Sequence, residues 1–252
     1  MRRLIFLHLP KTGGTSIHNQ LVAAVPRERI FPWRFSHEAQ QHAARAPDYQ
    51  VFSGHFRASD FADLPGEVLR FTILREPVAR LLSFYHFCRR HSREVVERHQ
   101  LIQPRIARER GLLGFLRAPE GAVQDAINNT MARYLAGPYW TTVRDGRTIH
   151  IDMRTRREVS EMRIVEEALR NLRHMHVFGD LSEITRVYNT VAEDFGLPAL
   201  ERMPRDNTRE DAAPGLEPHE EEAVPEEAME EMLRLTRLDR MIWELAPRFS
   251  RG

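Results

Sequence analysis

The stretch that most restricts the fold of this chain is its beginning. Leu4-Ile5-Phe6-Leu7-His8-Leu9 is a short, almost unbroken apolar run closed by Pro10, the pattern of a buried strand. Pro10-Lys11-Thr12-Gly13-Gly14-Thr15-Ser16 follows. Ile17, Leu21 and Ala24 then recur at helical spacing, which predicts a helix over 15–24. A strand that enters a helix through a glycine-containing loop aims backbone N–H groups and a helix N-terminus at one point, where an anion such as phosphate binds. Gly13 and Gly14 allow close approach and unusual dihedrals. Thr12, Thr15 and Ser16 bring hydroxyls, and Lys11 brings a compact positive charge. The loop is not that of an ordinary ATP or GTP hydrolase. Its lysine precedes the glycines, and no Gly-Lys-Ser/Thr occurs in the chain.

Lys11 is the one lysine among 37 lysines and arginines. Arginine is a planar fork suited to fixed bidentate contacts. The lysine ammonium is a point charge on a flexible stem and can follow an oxygen as charge develops on it. In a chain that otherwise uses arginine throughout, this exception suggests a role at a reacting centre.

Further strands are expected at 49–53, 68–74 and 176–179. Helices are expected after Pro77 and over 105–118, 122–136, 157–173 and 181–195. Strands separated by helices imply a parallel sheet with helices on both faces, an α/β fold of one domain over 1–252. The stretch 201–227, rich in proline and glutamate, reads as a mobile surface loop, and 228–246 as a closing helix with a broad apolar face. With 42% hydrophobic and 29% charged residues the composition is that of an ordinary globular protein. A formal net charge of +1 gives no overall field for nucleic acid, so an anion site must be built locally. Cys88 is the single cysteine, which precludes an internal disulfide and fits a reducing, cytoplasmic setting. The apolar run after Met1-Arg2-Arg3 is too short for a signal segment, and no stretch approaches the roughly 20 apolar residues of a membrane span. No cluster of carboxylates has metal-ligand spacing.

A second anchor follows the strand expected at 68–74. Arg75 stands at its end, and Ser83 lies eight residues later, on the helix that begins at Pro77. Arginine as fork and serine as donor could grip one phosphate.

Together the two segments resemble the cofactor signature of sulfotransferases that use 3′-phosphoadenosine 5′-phosphosulfate (PAPS). That family has a P-K-[TS]-[GA]-[GST]-T-[ST] loop for the 5′-phosphosulfate, matched by Pro10 to Ser16. Its R-[DE]-P-x-x-R-x-x-S-x-Y segment for the 3′-phosphate is matched by Arg75-Glu76-Pro77, Arg80, Ser83 and Tyr85. Within the family the chain is most similar to the heparan sulfate/uronyl 2-O-sulfotransferase branch. "FSGHFRASDF" (52–61), "NTMARYLAG" (129–137) and "LDRMIWELA" (238–246) resemble its strand-end, helical and closing segments, with Ala132 where threonine is usual. Lacking the membrane anchor and disulfides of Golgi members, the chain looks like a bacterial relative.

The resemblance implies sulfuryl transfer from PAPS to an acceptor hydroxyl by in-line displacement, releasing adenosine 3′,5′-bisphosphate (PAP), with no metal. It assigns Lys11, Thr12, Gly13, Gly14, Thr15, Ser16, Arg75 and Ser83 to cofactor binding, and Lys11 and His55 to catalysis, His55 as the base that takes the acceptor proton. His8, His18, His86 and His91 compete for that role; His8 and His18 could equally be structural, and His86 and His91 could line the acceptor cleft. A carbohydrate, acidic glycan or small metabolite is the expected acceptor. From Arg89 to Arg117 there are eight arginines against Glu94, Glu97 and Glu109, a run that could hold an acidic sugar but reads slightly better as a solvated helix face. "RDNTRE" (205–210) could close over the nucleotide. Two rival readings stand: a P-loop-like ATP-dependent kinase and a non-catalytic PAP-binding protein.

Overall fold

In a computed structural model of the chain, residues 2–144, 147–204, 214–219 and 222–249 are described. Strand β1 (Arg3–Leu7) is buried along its whole length and sits inside a four-stranded parallel sheet with β2 (Val51–Gly54), β3 (Val68–Leu74) and β7 (Val177–Asp180) in the order β2-β1-β3-β7. Because strand side chains alternate, β1 feeds both faces. Leu4 and Phe6 pack with Ile17 and Leu21 of α1 (Gly14–Ala24) and with Val187, Tyr188 and Val191 of α9 (Ile184–Phe195). Ile5 and Leu7 pack on the opposite side with residues of α7 (Thr130–Ala136), α8 (Glu161–Arg173) and α11 (Arg237–Leu245). The architecture is therefore the α/β one expected, a central parallel sheet flanked by helices. The successive strands β1 and β2 pair on one side, while β3 returns to the other side of β1. The C-terminal ends of β1 and β3 so form a crevice, the place where open α/β sheets bind ligands.

A third apolar cluster stands beside the sheet. It joins α3 (Pro77–Arg90), α5 (Ile102–Leu116), α6 (Gly121–Ile127) and α10 (Glu226–Leu235) through Leu81, Tyr85, Ile106, Phe115, Ile127 and Met232. Short helices α2 (Ser36–Gln41) and α4 (Arg93–Arg98) complete the helical layer. α3 starts where its sequence says it should: the Glu76 carboxylate accepts from the N–H of Val78 and Ala79, and Pro77 occupies the first turn.

Two expected helices are each divided. The stretch 122–136 breaks at Asn129, whose backbone is left-handed at φ 46°. The closing helix of 228–246 is two helices, α10 and α11, that meet at Thr236. The two breaks serve each other. Asn129 Oδ1 accepts from Leu238 N (2.7 Å) at the start of α11, and Asp239 Oδ1 accepts from Ala132 N (2.7 Å) at the start of α7. Each helix is capped by a side chain from the start of the other. The helix expected over 157–173 begins at Glu161. Ahead of it lies an unexpected antiparallel sheet of β4 (Tyr139–Arg144), β5 (Arg147–Asp152) and β6 (Glu158–Val159). The "RDNTRE" segment lies outside the described residues. The described part of 214–219 is pinned on the helical layer: Ser92 N donates to Gly215 O, and Glu217 N donates to Arg90 O.

Candidate active site

The chain leaves β1 and turns through two left-handed residues, Lys11 (φ 68°) and Gly13 (φ 80°), before α1 starts at Gly14. Gly13 suits its position doubly, since a Cβ there would also come within 2.6 Å of Leu181 Cδ1. A side chain on Gly14 would meet the His8 ring at 2.0 Å. Lys11 has no such freedom, and a lysine held left-handed is an unusual conformation of the kind found at functional turns. Arg75, at the end of β3, donates from Nη1 to Lys11 O at 3.0 Å, which ties together the two cation-bearing strand ends. Lys11 Nζ lies 4.3 Å from the centre of the Phe87 ring on α3.

These groups open into a cleft of about 570 Å³. Of the residues expected at the site, Lys11, Gly13, Gly14, Thr15, His55, Arg75 and Ser83 all line it. Thr12 and Ser16 do not. Thr12 is fully buried and donates its hydroxyl to Leu9 O at 2.9 Å, so it braces the loop from beneath, and the Ser16 side chain is buried as well. Among the described residues, the cleft carries Lys11, Arg75 and Arg90 against a single carboxylate, Asp125, which is itself bound by Arg133 at 2.6 Å. Its local charge is strongly positive on a molecule of net charge +1.

His55 follows β2 on the far side of β1 from Arg75. Its Nδ1 lies 2.8 Å from His8 O. A carbonyl only accepts, so Nδ1 carries the proton and Nε2 keeps its lone pair. Burial lowers the His55 pKa from 6.5; the bond to His8 opposes the drop and the nearby Arg34 charge adds to it. The residue is thus a neutral imidazole with its base nitrogen set by its neighbour. Among the other histidines, His8 and His86 line the cleft. His18 turns from α1 to Ser53 Oγ at 2.9 Å, and burial brings its pKa down to about 4. His91 is taken up by Phe87 O at 3.0 Å and does not line the cleft.

The remaining walls were not legible as site residues. Phe35, exposed by 49%, stacks on His55 with ring centres 5.6 Å apart. Tyr134 and Asp125 come from the region of the α6–α7 break, and Arg90 from the end of α3. Only Arg90 of the basic run 89–117 reaches the cleft. Arg89 and Arg108 clamp α3 to α5 instead, each donating to the other's backbone carbonyl at 3.1 Å. Among the described residues no group of three or more His, Cys, Asp or Glu could hold a metal ion, and no helix is long and apolar enough to cross a membrane.

No curated protein matches this chain. The family model described as the sulfotransferase family matches residues 2–239, a span that includes both strand ends and the whole cleft. The chain belongs to the sulfotransferase family.

Proposed function

We propose that the chain is a PAPS-dependent sulfotransferase acting on a hydroxyl of a carbohydrate or small metabolite. In this reading residues 1–252 form one sulfotransferase domain, related to the heparan sulfate/uronyl 2-O branch, bacterial and cytoplasmic. The observation that carries it is the convergence of Lys11, Arg75 and His55 on one cleft, from the ends of three adjacent parallel strands. Two cations and a helix N-terminus suit a donor with separated anionic groups. A neutral imidazole on the other side suits an acceptor that must lose a proton.

PAPS, when bound, supplies a sulfuryl group carried on a phosphate leaving group. Lys11 and the N–H groups at the start of α1 stabilise charge growing on the leaving oxygen, the place where fixed dipoles lower a barrier most. Arg75 and Ser83 hold the 3′-phosphate. His55 accepts the acceptor proton at Nε2, and its Nδ1–H bond to His8 O steadies the imidazolium that forms. The orientation of His55 favours an enzyme over a non-catalytic PAP-binding protein, which has no use for a presented base. The lack of a Gly-Lys-Ser/Thr loop disfavours the kinase reading.

The donor is tested with PAP and adenosine 5′-monophosphate. A ligand at 100 times its dissociation constant adds about 2.7 kcal/mol of stability. PAP should raise the melting temperature well above the effect of the monophosphate; equal shifts would overturn the assignment.

A further inference from the structure

Asp125 is the feature of the cleft that an anionic donor does not explain. It stands on α6 as the one carboxylate lining the cleft among the described residues. A negative charge there costs affinity for any polyanion, because like charges repel strongly in a partly enclosed site. Its attachment is one-sided. Oδ1 accepts from Arg133 Nη1 at 2.6 Å, while Oδ2 takes no hydrogen bond from the described residues. The Asp125 side chain is 42% exposed and that of Arg133 only 2%. Arg133 is held as well by the carbonyls of Asn128 (3.0 Å), Tyr139 (3.5 Å) and Asp125 itself. A buried, fixed guanidinium thus pins one oxygen of the carboxylate and leaves the other for a ligand. Asp125 also lies on the side of the base. Its charge acts on the Tyr134 phenol, and Tyr134 O accepts from Ala58 N (2.9 Å), just after His55.

An ionised carboxylate only accepts, so its ligand must donate: a hydroxyl suits it and a second carboxylate does not. The cations tell the same story. In the basic run, Arg89, Arg98, Arg108, Arg110 and Arg117 are each paired with a glutamate. Lys11, Arg75 and Arg90 remain in the cleft. PAPS carries about four negative charges at neutral pH, a phosphate monoester alone holding about 1.5 to 2. With the donor bound, those three cations are outnumbered, and no positive charge is left over for an acidic acceptor. Phe35 supplies the other half of the site. It is half exposed, lines the same cleft and is stacked on His55. An apolar ring beside a fixed carboxylate suits a neutral sugar, which has C–H faces to pack and hydroxyls to donate.

We propose that Asp125 reads the acceptor: its second oxygen takes hydrogen bonds from acceptor hydroxyls, and the acceptor is a neutral sugar, not an acidic one. This rests on the PAPS reading above, and its test separates the two. The probes are the methyl glycosides of glucose, galactose and mannose and the corresponding uronides, which differ only by a carboxylate at C6. Binding of each to the PAP-saturated protein is followed by NMR titration, so no turnover is needed. At least one neutral glycoside should bind about 10- to 100-fold more tightly than its uronide, the worth of a hydrogen bond to a charged group. Asp125→Asn keeps an oxygen for Arg133 but turns an N–H to the ligand, and should bring that ratio near one. PAP affinity, measured by calorimetry, should not change in this variant. Uronides that bind as well as their neutral partners in wild type overturn the inference, as does failure of every glycoside to bind. So does a folded Asp125→Asn variant with the wild-type ratio. A variant that loses PAP affinity instead also overturns it, and assigns Asp125 to the ribose or adenine of the donor. Should the variant not fold, the wild-type ratio decides. Failure of the wild-type protein to bind PAP removes the donor reading itself, and this inference with it.

Discussion

The two ends of the cleft are built differently. The end assigned to the donor comes from two short stretches, Pro10 to Ser16 and Arg75 to Ser83, each running straight off a strand into a helix. Its main instruments are backbone: a helix N-terminus, two left-handed residues and a carbonyl that receives Arg75. The rest of the cleft is made of side chains from separate elements: Phe35 before α2, Arg90 closing α3, Asp125 on α6 and Tyr134 on α7. A phosphate has one geometry, and backbone dipoles fix it once. Side chains on helix faces can be exchanged without disturbing that cradle. In the proposed reading, this division separates a constant donor chemistry from an adjustable acceptor specificity.

Four substitutions probe that separation, and the largest effect is expected at His55. His55→Ala should lower turnover by about 100- to 10,000-fold, the range for a positioned base, with PAP affinity nearly unchanged by calorimetry. In wild type burial lowers the His55 pKa from 6.5, and in the proposed reading the neutral form is the active base. Turnover should therefore be flat through neutral pH and fall as His55 protonates below 6.5; the variant should lack that limb. Joint loss of PAP binding and stability would make His55 structural and collapse the distinction between the two ends.

Lys11→Arg comes next. The charge and much of the PAP affinity should remain, while turnover drops on the order of 100- to 1000-fold, as when one transition-state contact is lost. Near wild-type turnover would mean that the lone lysine is a compositional accident. Arg75→Ala should cost about 10- to 100-fold in PAP affinity and abolish the preference for PAP over adenosine 5′-monophosphate. An unchanged KM for the acceptor is expected there, and a raised one would show that Arg75 serves both ends.

Phe35→Ala should have the smallest effect, because Phe35 is half exposed and its contact is one face of a ring. An aromatic contact contributes about 0.5–1.5 kcal/mol, so acceptor KM should rise a few-fold to about tenfold in initial-rate assays. PAP affinity should not move. If it does, the ends are coupled through the ring contacts of Phe35, His55 and His8.

The strand over 68–74 could be read from sequence because a centrally placed parallel strand is apolar on both faces. The sheet β4-β5-β6 could not. Trp140 and Val143 are exposed while Tyr139 and Thr141 are buried, so the row of side chains carries no clean apolar alternation. The breaks at Asn129 and Thr236 were hidden for another reason. Helical spacing continues through both, and only the reciprocal caps of Asn129 and Asp239, more than a hundred residues apart, reveal the interruption.

By itself, then, the sequence determined the strand–loop–helix at Lys11, the strand end at Arg75 and the parallel α/β plan. Each of these is encoded within a dozen or so neighbouring residues, where apolar period and turn chemistry act directly. Tertiary structure alone decided which hydroxyls of the loop face inward, as Thr12 does. It also decided that His8 and His55, just past the ends of neighbouring strands, would share one hydrogen bond and one tilted ring contact. Those outcomes depend on sheet order and on burial, which set tautomer and charge state through residues distant in the chain.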